Sequence, residues 1–423
     1  MPEPRMNVVE HQGQRFYLFP DHLDWFVQDA DAPLFTGFEP ESIKVHYGFA
    51  DHEFDHLLLG VTNRCNIVCD YCFRGYDMHK AARELEFEDF TEVADHFLAR
   101  AKRNPTIQFT GGEVFVKEGI EHWFDYIHQR GFRIWMTTNG VSHKIRENRL
   151  INKIFSSNKR VHVRVSCDGH NAELYERHRG KPGTFLRVED NLRHLVAHDV
   201  PVSVKTVVTP DNFPYLEDIL EWCHDLGLAG WNFNVLRYTG AMAEIPPENA
   251  TAKSAGHIDY IGYKRIGRAL TDIVERKPYL GRLLGISRYG KIIDTLYSSV
   301  THGVRMQYYM LNYDGNVYTN DNLMTEEHSC GNIWRDGMAA FRKLETRQQT
   351  LDLDLPCCTR CPIHRFCFQK GDFGELYERD PMLQSEFPNC PDIRSHFFDM
   401  MALGQRGLNL ETSIFGSKAE TDV

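Results

Sequence analysis

The 423-residue sequence contains no uninterrupted apolar run long enough to span a bilayer. Its opening residues, MPEPRMNVVE, lack the apolar stretch that marks a secretory signal. It also lacks an excess of positive charge: 48 Lys and Arg face 59 Asp and Glu, a formal net charge of −11. Sequence-independent nucleic-acid binding works by neutralising phosphates, so this balance argues against it. An acidic surface suits a basic peptide partner and equally serves solubility. No internal repeat or low-complexity tract is present. These absences imply a cytoplasmic protein with no membrane span and no nucleic-acid partner. Its length and 42% apolar content suit two globular domains, or one large domain with a module. Eleven cysteines without a secretory signal point to metal ligation rather than disulfides.

The first cysteine group also lacks something. Cys65, Cys69 and Cys72 stand at C-x3-C-x2-C within TNRCNIVCDYCFRG, and no fourth cysteine joins them. Structural zinc usually closes tetrahedrally on four ligands from paired hooks. Three thiolates this close can take three corners of a four-iron cluster and leave the fourth iron open to a small molecule. That arrangement is catalytic rather than structural.

From His56 the chain alternates short apolar strands with amphipathic helices. Strands are expected at 56–62, 105–109, 133–138, 161–166, 202–208 and 231–236. In the first helix Phe87, Phe90, Val93, Phe97 and Ala101 share one face at three-to-four spacing. Further helices begin near Ile120, Lys144, Phe185 and Phe213. Such alternation predicts a parallel α/β sheet with right-handed crossovers. FTGGEVF (109–115), TTNG (137–140) and SCDG (166–169) each follow a strand, at the carboxyl ends where ligand sites lie in such folds. Ahead of the sheet, residues 15–19 and 24–28 read as strands of a hairpin. Residues 256–300 read as mostly helical.

These motifs, together with ERHRGKPGTF (176–185), resemble the radical S-adenosylmethionine (SAM) superfamily. The resemblance implies a partial (β/α)6 barrel over 56–240, preceded by an extension over 1–55 and followed by a helical connection over 241–305. It implies a [4Fe–4S] cluster on Cys65, Cys69 and Cys72, with SAM on the open iron. By the same resemblance Gly111 and Gly112 approach the SAM ammonium and Glu113 supplies negative charge nearby. Asn139 and Ser166 face SAM. Arg177 and Arg179 are both candidates to pair its carboxylate through the guanidinium fork, with surface charge as the alternative. Tyr71 and Phe73 would approach adenine, with core packing as the alternative.

The tail holds C-x2-C-x5-C in Cys358, Cys361 and Cys367, with Cys390 following. This resembles a SPASM-like auxiliary iron–sulfur domain over 306–400, leaving 401–423 as a tail. The four cysteines would then hold a second [4Fe–4S] cluster with no open iron. Zinc is the alternative for this set, and Cys357 could replace Cys358. A further cluster is not expected: Asn320 and Gly371 stand where the family pattern has cysteines, and Cys330 is the one extra thiol nearby. Asp321 matches the position of a substrate base in sulfatase-maturating relatives; the alternative is a turn aspartate in TNDN.

The resemblance implies hydrogen abstraction from a ribosomal precursor peptide, installing a side-chain crosslink (a cyclophane or a thioether). A low-potential donor such as flavodoxin or ferredoxin would supply the electron. Formylglycine formation, peptide epimerisation and small-molecule dehydrogenation are the competing chemistries. A non-enzymatic electron-transfer or zinc-binding scaffold is the competing class.

Overall fold

The short apolar runs become strands and the amphipathic segments become their crossovers. The structure is a computed structural model that describes residues 7–11, 13–19, 24–29, 31, 56–72, 74, 84–101, 105–157, 160–179, 182–235, 261, 263–284, 308–318, 324, 326 and 329–350. At the amino end β1 (Asn7–His11), β2 (Gln14–Phe19) and β3 (Asp24–Asp29) form an antiparallel sheet of their own. The anticipated hairpin is therefore β2–β3, with β1 added. Phe16 is buried in the main hydrophobic cluster.

The main sheet starts with β4 (His56–Gly60), β5 (Thr106–Thr110), β6 (Arg133–Thr138), β7 (Val161–Ser166), β8 (Val202–Val208) and β9 (Gly230–Val235). These six strands pair in sequence order and all run parallel. Two-residue alternation sends Ile107, Phe109, Ile134, Met136, Val163, Val165, Val202 and Val204 into the core. The covering helices are α1 (Phe87–Leu98), α2 (Ile120–Gln129), α3 (Lys144–Glu147), α4 (Arg149–Ser157), α5 (Ala172–Glu176), α6 (Thr184–Ala197) and α7 (Leu216–Asp225). Helix α1 buries Phe90, Val93, Ala94 and Phe97, the stripe that its spacing predicts. The Asp89 carboxylate accepts from the Glu86 backbone N–H at 2.9 Å and fixes its first turn. Phe90 stacks on Trp123 of α2 with ring centroids 4.4 Å apart. The helix expected near Phe213 begins as a 3-10 turn over Phe213–Tyr215 before α7, and α8 (Tyr263–Arg276) falls in the helical stretch.

The sheet extends beyond the six expected strands. Strand β10 (Tyr308–Leu311) pairs parallel with β4; β11 (Asn316–Tyr318) and β12 (Ser329–Asn332) continue antiparallel. Its order is β12-β11-β10-β4-β5-β6-β7-β8-β9, an open, mostly parallel α/β sheet. The β10–β4 pair joins segments some 250 residues apart, a strongly non-local contact. Local pattern carries no trace of such a pairing. Among the described residues no helix is long and apolar enough to cross a membrane.

Candidate active site at the strand ends

The loop leaving β4 carries the three cysteines, and the glycine loop leaving β5 lies directly on it. The Gly112 N–H donates to the Thr62 carbonyl at 2.8 Å, and the Glu113 N–H donates to the Arg64 carbonyl at 2.8 Å. A Cβ on Gly112 would stand 2.2 Å from the Arg64 carbonyl oxygen; one on Gly111, whose φ is +141°, would stand 2.6 Å from that of Thr62. Both glycines are thus required by contact with the cysteine-bearing backbone. We expect Gly112→Ala to destabilise the fold by about 1–3 kcal/mol, the usual cost of overpacking. Its iron content after anaerobic reconstitution should fall too. Denaturant titration and iron analysis check both.

Glu84 anchors the same loop from the other side. It accepts from the Thr62 hydroxyl and pairs with Arg64 and with Lys117, each at 3.3 Å. Glu113 is fully buried. Its carboxylate accepts from the Thr138 hydroxyl at 2.6 Å, the Asn139 N–H at 2.7 Å and the Phe115 N–H at 3.2 Å. Burial raises its pKa, against the pull of those three donors. Glu113 therefore ties the glycine loop to the end of β6. That tie orients Asn139, whose side-chain amide donates to Asn66 at 2.7 Å and to the Cys65 sulfur at 3.6 Å.

The end of β7 approaches from the opposite flank. Asp168 is buried and accepts from Arg179 Nε at 2.8 Å and from the Val207 N–H at 2.8 Å. Arg179 is itself buried, forms a backbone bridge with Cys69, and lies 5.6 Å from the Tyr71 ring centroid. Arg177 instead pairs with Asp211 at 2.7 Å, its side chain 44% exposed. The two arginine candidates therefore separate: Arg179 belongs to the cysteine neighbourhood and Arg177 to a surface ion pair. Ser166 ends β7 beside Lys205 of β8. The Tyr71 ring is buried, and its hydroxyl has no hydrogen-bond partner among the described residues. Phe73, Asp321, Cys358, Cys361, Cys367 and Cys390 lie outside the described residues, as does Cys357.

Between these flanks His178 bridges Asp70, at 3.2 Å, and Asp211, at 2.6 Å. Asp70 sits within the cysteine loop, so this histidine links that loop to the end of β8. Asp70 holds the His178 pKa above its ordinary 6.5; burial opposes the shift and Asp211 reinforces it. A raised folded pKa gives stabilisation that is complete below the unfolded value and is lost as pH rises through the folded one. The stability difference between the wild type and His178→Gln should therefore be larger at about pH 6 than at about pH 9. Denaturant midpoints at the two values measure it.

The donor set fits a cluster. Cys65, Cys69 and Cys72 are not disulfide-bonded. Burial pushes the Cys65 thiol up to about 11, with Glu113 adding, and burial pushes Cys69 up to about 12 despite nearby Arg179. Such thiols become thiolates when polyvalent iron supplies the compensating charge. Among the described residues no three His, Cys, Asp or Glu side chains converge at the spacing of a single ion. Thiolates that each take a different iron of a cluster stand further apart than that. Sequence reasoning missed Asp168, His178, Asp70 and Thr138. All four lie inside quoted motifs, so only their roles were hidden.

Residues 59–223 match the radical SAM superfamily. The AdoMet-dependent heme synthase of Oleidesulfovibrio alaskensis is 28% identical over 201 residues, 46% of this chain and 48% of that protein. The antilisterial bacteriocin subtilosin biosynthesis protein AlbA of Bacillus subtilis is 25% identical over 225 residues, 53% of this chain and 48% of that protein. The chain thus spans about half the length of these curated relatives. In fold it is similar to Streptococcus suis SuiB bound to precursor peptide SuiA, with a TM-score of 0.58 at 9% identity, covering 89% of this chain and 96% of that one. Residues 59–223 of this chain thus carry the match to the radical SAM superfamily, a family that implies a [4Fe–4S] cluster and SAM.

Proposed function

We propose that the chain modifies a ribosomally made precursor peptide, abstracting a side-chain hydrogen and closing a crosslink. The observation that carries the radical chemistry is the packing of the Cys65–Cys72 loop between the Gly111–Glu113 loop and Arg179. When bound there, the cluster and SAM supply one-electron cleavage of the sulfonium and a 5′-deoxyadenosyl radical. The chain's own residues hold the geometry. Glu113 fixes the end of β6, Asn139 donates toward Cys65, and the Asp168–Arg179 pair keeps a cation beside Cys69. The likeness to AlbA and to peptide-bound SuiB supports a peptide substrate.

Cys358, Cys361, Cys367 and Cys390 would hold a second cluster as an electron exit, because crosslinking removes two electrons overall. A flavodoxin or ferredoxin would reduce the first cluster. Asp321 would be the base that deprotonates the intermediate. Asp321→Asn should retain 5′-deoxyadenosine formation and lose most of the modified product, by chromatography of both. The likeness to heme synthases favours a second reading, in which the substrate is not a peptide. Anaerobic reaction with peptides encoded beside the gene, followed by mass spectrometry, decides between them. Loss of about 2 Da per event supports the crosslink, two hydrogens leaving for one bond. Unchanged mass with deuterium uptake indicates epimerisation, and no product from any such peptide overturns the peptide reading.

A further inference from the structure

Asn139 directly follows β6 and is only 6% exposed, beside the cysteine loop. Its conformation is held from several sides. The backbone N–H donates to Glu113 at 2.7 Å, and the side-chain carbonyl accepts from the Val141 N–H at 3.0 Å. The second contact settles which end of the amide is oxygen, because an N–H cannot donate to an amide nitrogen. The nitrogen therefore faces the cysteine loop, 2.7 Å from Asn66 Oδ1 and 3.6 Å from the Cys65 sulfur. Sulfur is larger than oxygen, so 3.6 Å is an ordinary N–H···S separation. An amide NH2 has two hydrogens, and these two acceptors take both. The backbone N–H of Ile67 donates to the same sulfur. Of these two donors to Cys65, only the one from Asn139 can be removed by changing a side chain.

We infer that Asn139 is a positioning residue for electron entry: its amide N–H, donated to the Cys65 thiolate, raises the reduction potential of the cluster held there. The inference rests on the radical SAM reading of the site and deepens it. It assigns the amide to a cluster ligand and leaves neither of its hydrogens for SAM. Reduction adds one electron, taken from a low-potential one-electron donor that is thereby oxidised, and no proton moves. The added negative charge is shared by the ligand sulfurs. An N–H aimed at one of them stabilises the reduced state more than the oxidised state. Burial strengthens the contact, because the low local dielectric screens it weakly. Glu113 acts through Asn139: its carboxylate holds the backbone from which the amide is aimed.

The test is a redox titration of the anaerobically reconstituted chain without SAM, followed by electron paramagnetic resonance of the reduced cluster. Asn139→Leu removes the donor without adding charge. The equilibrium constant for reduction should fall about tenfold, a midpoint about 59 mV more negative for a one-electron couple. Asn139→Asp keeps an acceptor for Val141 but sets a like charge beside Cys65, and should shift the midpoint further in the same direction. A purely structural role would lower iron content and leave the potential of the remaining cluster where it was. If the variants hold no iron, the wild type still decides. Chain carrying asparagine labelled with nitrogen-15 in the side-chain amide should show a coupled nitrogen in the spin-echo spectrum of the reduced cluster. An unchanged midpoint in Asn139→Leu overturns the inference, as does a wild-type spectrum with no coupled amide nitrogen. A wild type that takes up no iron sinks the radical SAM reading itself. A wild type that cleaves SAM while either measurement fails sinks only the role of Asn139.

Discussion

Cys69→Ala is expected to bring 5′-deoxyadenosine formation down to the background of protein without a cluster. Cys69 is the middle thiol of the loop, and its backbone is bridged to Arg179. Removing its sulfur leaves Cys65 and Cys72 to hold two corners of a four-iron cluster, with no third anchor among the described cysteines. The remaining ones, Cys167, Cys223 and Cys330, are buried elsewhere in the core. Alanine removes one atom from a loop held by backbone hydrogen bonds to Gly112 and Glu113, so the fold should persist. Cys223→Ala is the control: this thiol is fully buried on α7, away from the loop, and its loss should leave iron content and cleavage in place. Iron analysis and chromatography on the two variants give the comparison. Persistent cleavage by Cys69→Ala would remove it from the ligand set.

Arg179→Ala should carry the largest stability cost of any single substitution at the site, about 3–5 kcal/mol, because it breaks a buried ion pair from one side. The guanidinium lies 2.8 Å from Asp168, whose carboxylate has a side-chain exposure of only 5%. Its loss leaves that carboxylate buried with the Val207 N–H as its remaining partner among the described residues. Arg177→Ala offers the contrast. Its pair with Asp211 is shorter, at 2.7 Å, yet solvent reaches both groups, and exposed pairs contribute about 0–1 kcal/mol. Replacing the buried pair together, by Asp168→Leu with Arg179→Met, should recover much of the loss, since no unpaired charge then remains. The double variant should still reconstitute less iron, because it lacks the cation that offsets negative charge at Cys69. Urea titration separates the stability terms, and iron analysis reads the site. If Arg177→Ala proves the costlier of the two, the placement of Arg179 in the cysteine neighbourhood is wrong.

The six central strands and their crossovers were legible because each is a local pattern. Val202, Val204, Thr206 and Val208 alternate toward the core, and Phe90, Val93 and Phe97 recur at helical spacing. The motifs following the strands were recognisable because their residues fall within a few positions of one another, and the roles of the glycines and Ser166 came from the family resemblance. What the pattern could not reveal was which partners face one another. Glu113 reads as a charge offered to a ligand, yet it folds inward onto Thr138 and Asn139 at the end of a different strand. Arg177 and Arg179 are two residues apart and identical in type, and only the burial of Asp168 tells them apart. Strand β10 has no alternation to betray it, because YYML is apolar throughout and its pairing partner lies in β4.

The measurement closest to the central claim is electron paramagnetic resonance on the anaerobically reconstituted, dithionite-reduced chain, recorded with and without SAM. A cluster held by Cys65, Cys69 and Cys72 should give a reduced [4Fe–4S] signal whose shape changes when SAM reaches the open iron, and the change should vanish in Cys69→Ala. A chain that takes up no iron, or a signal indifferent to SAM, would contradict the assignment of this loop as the radical-generating centre.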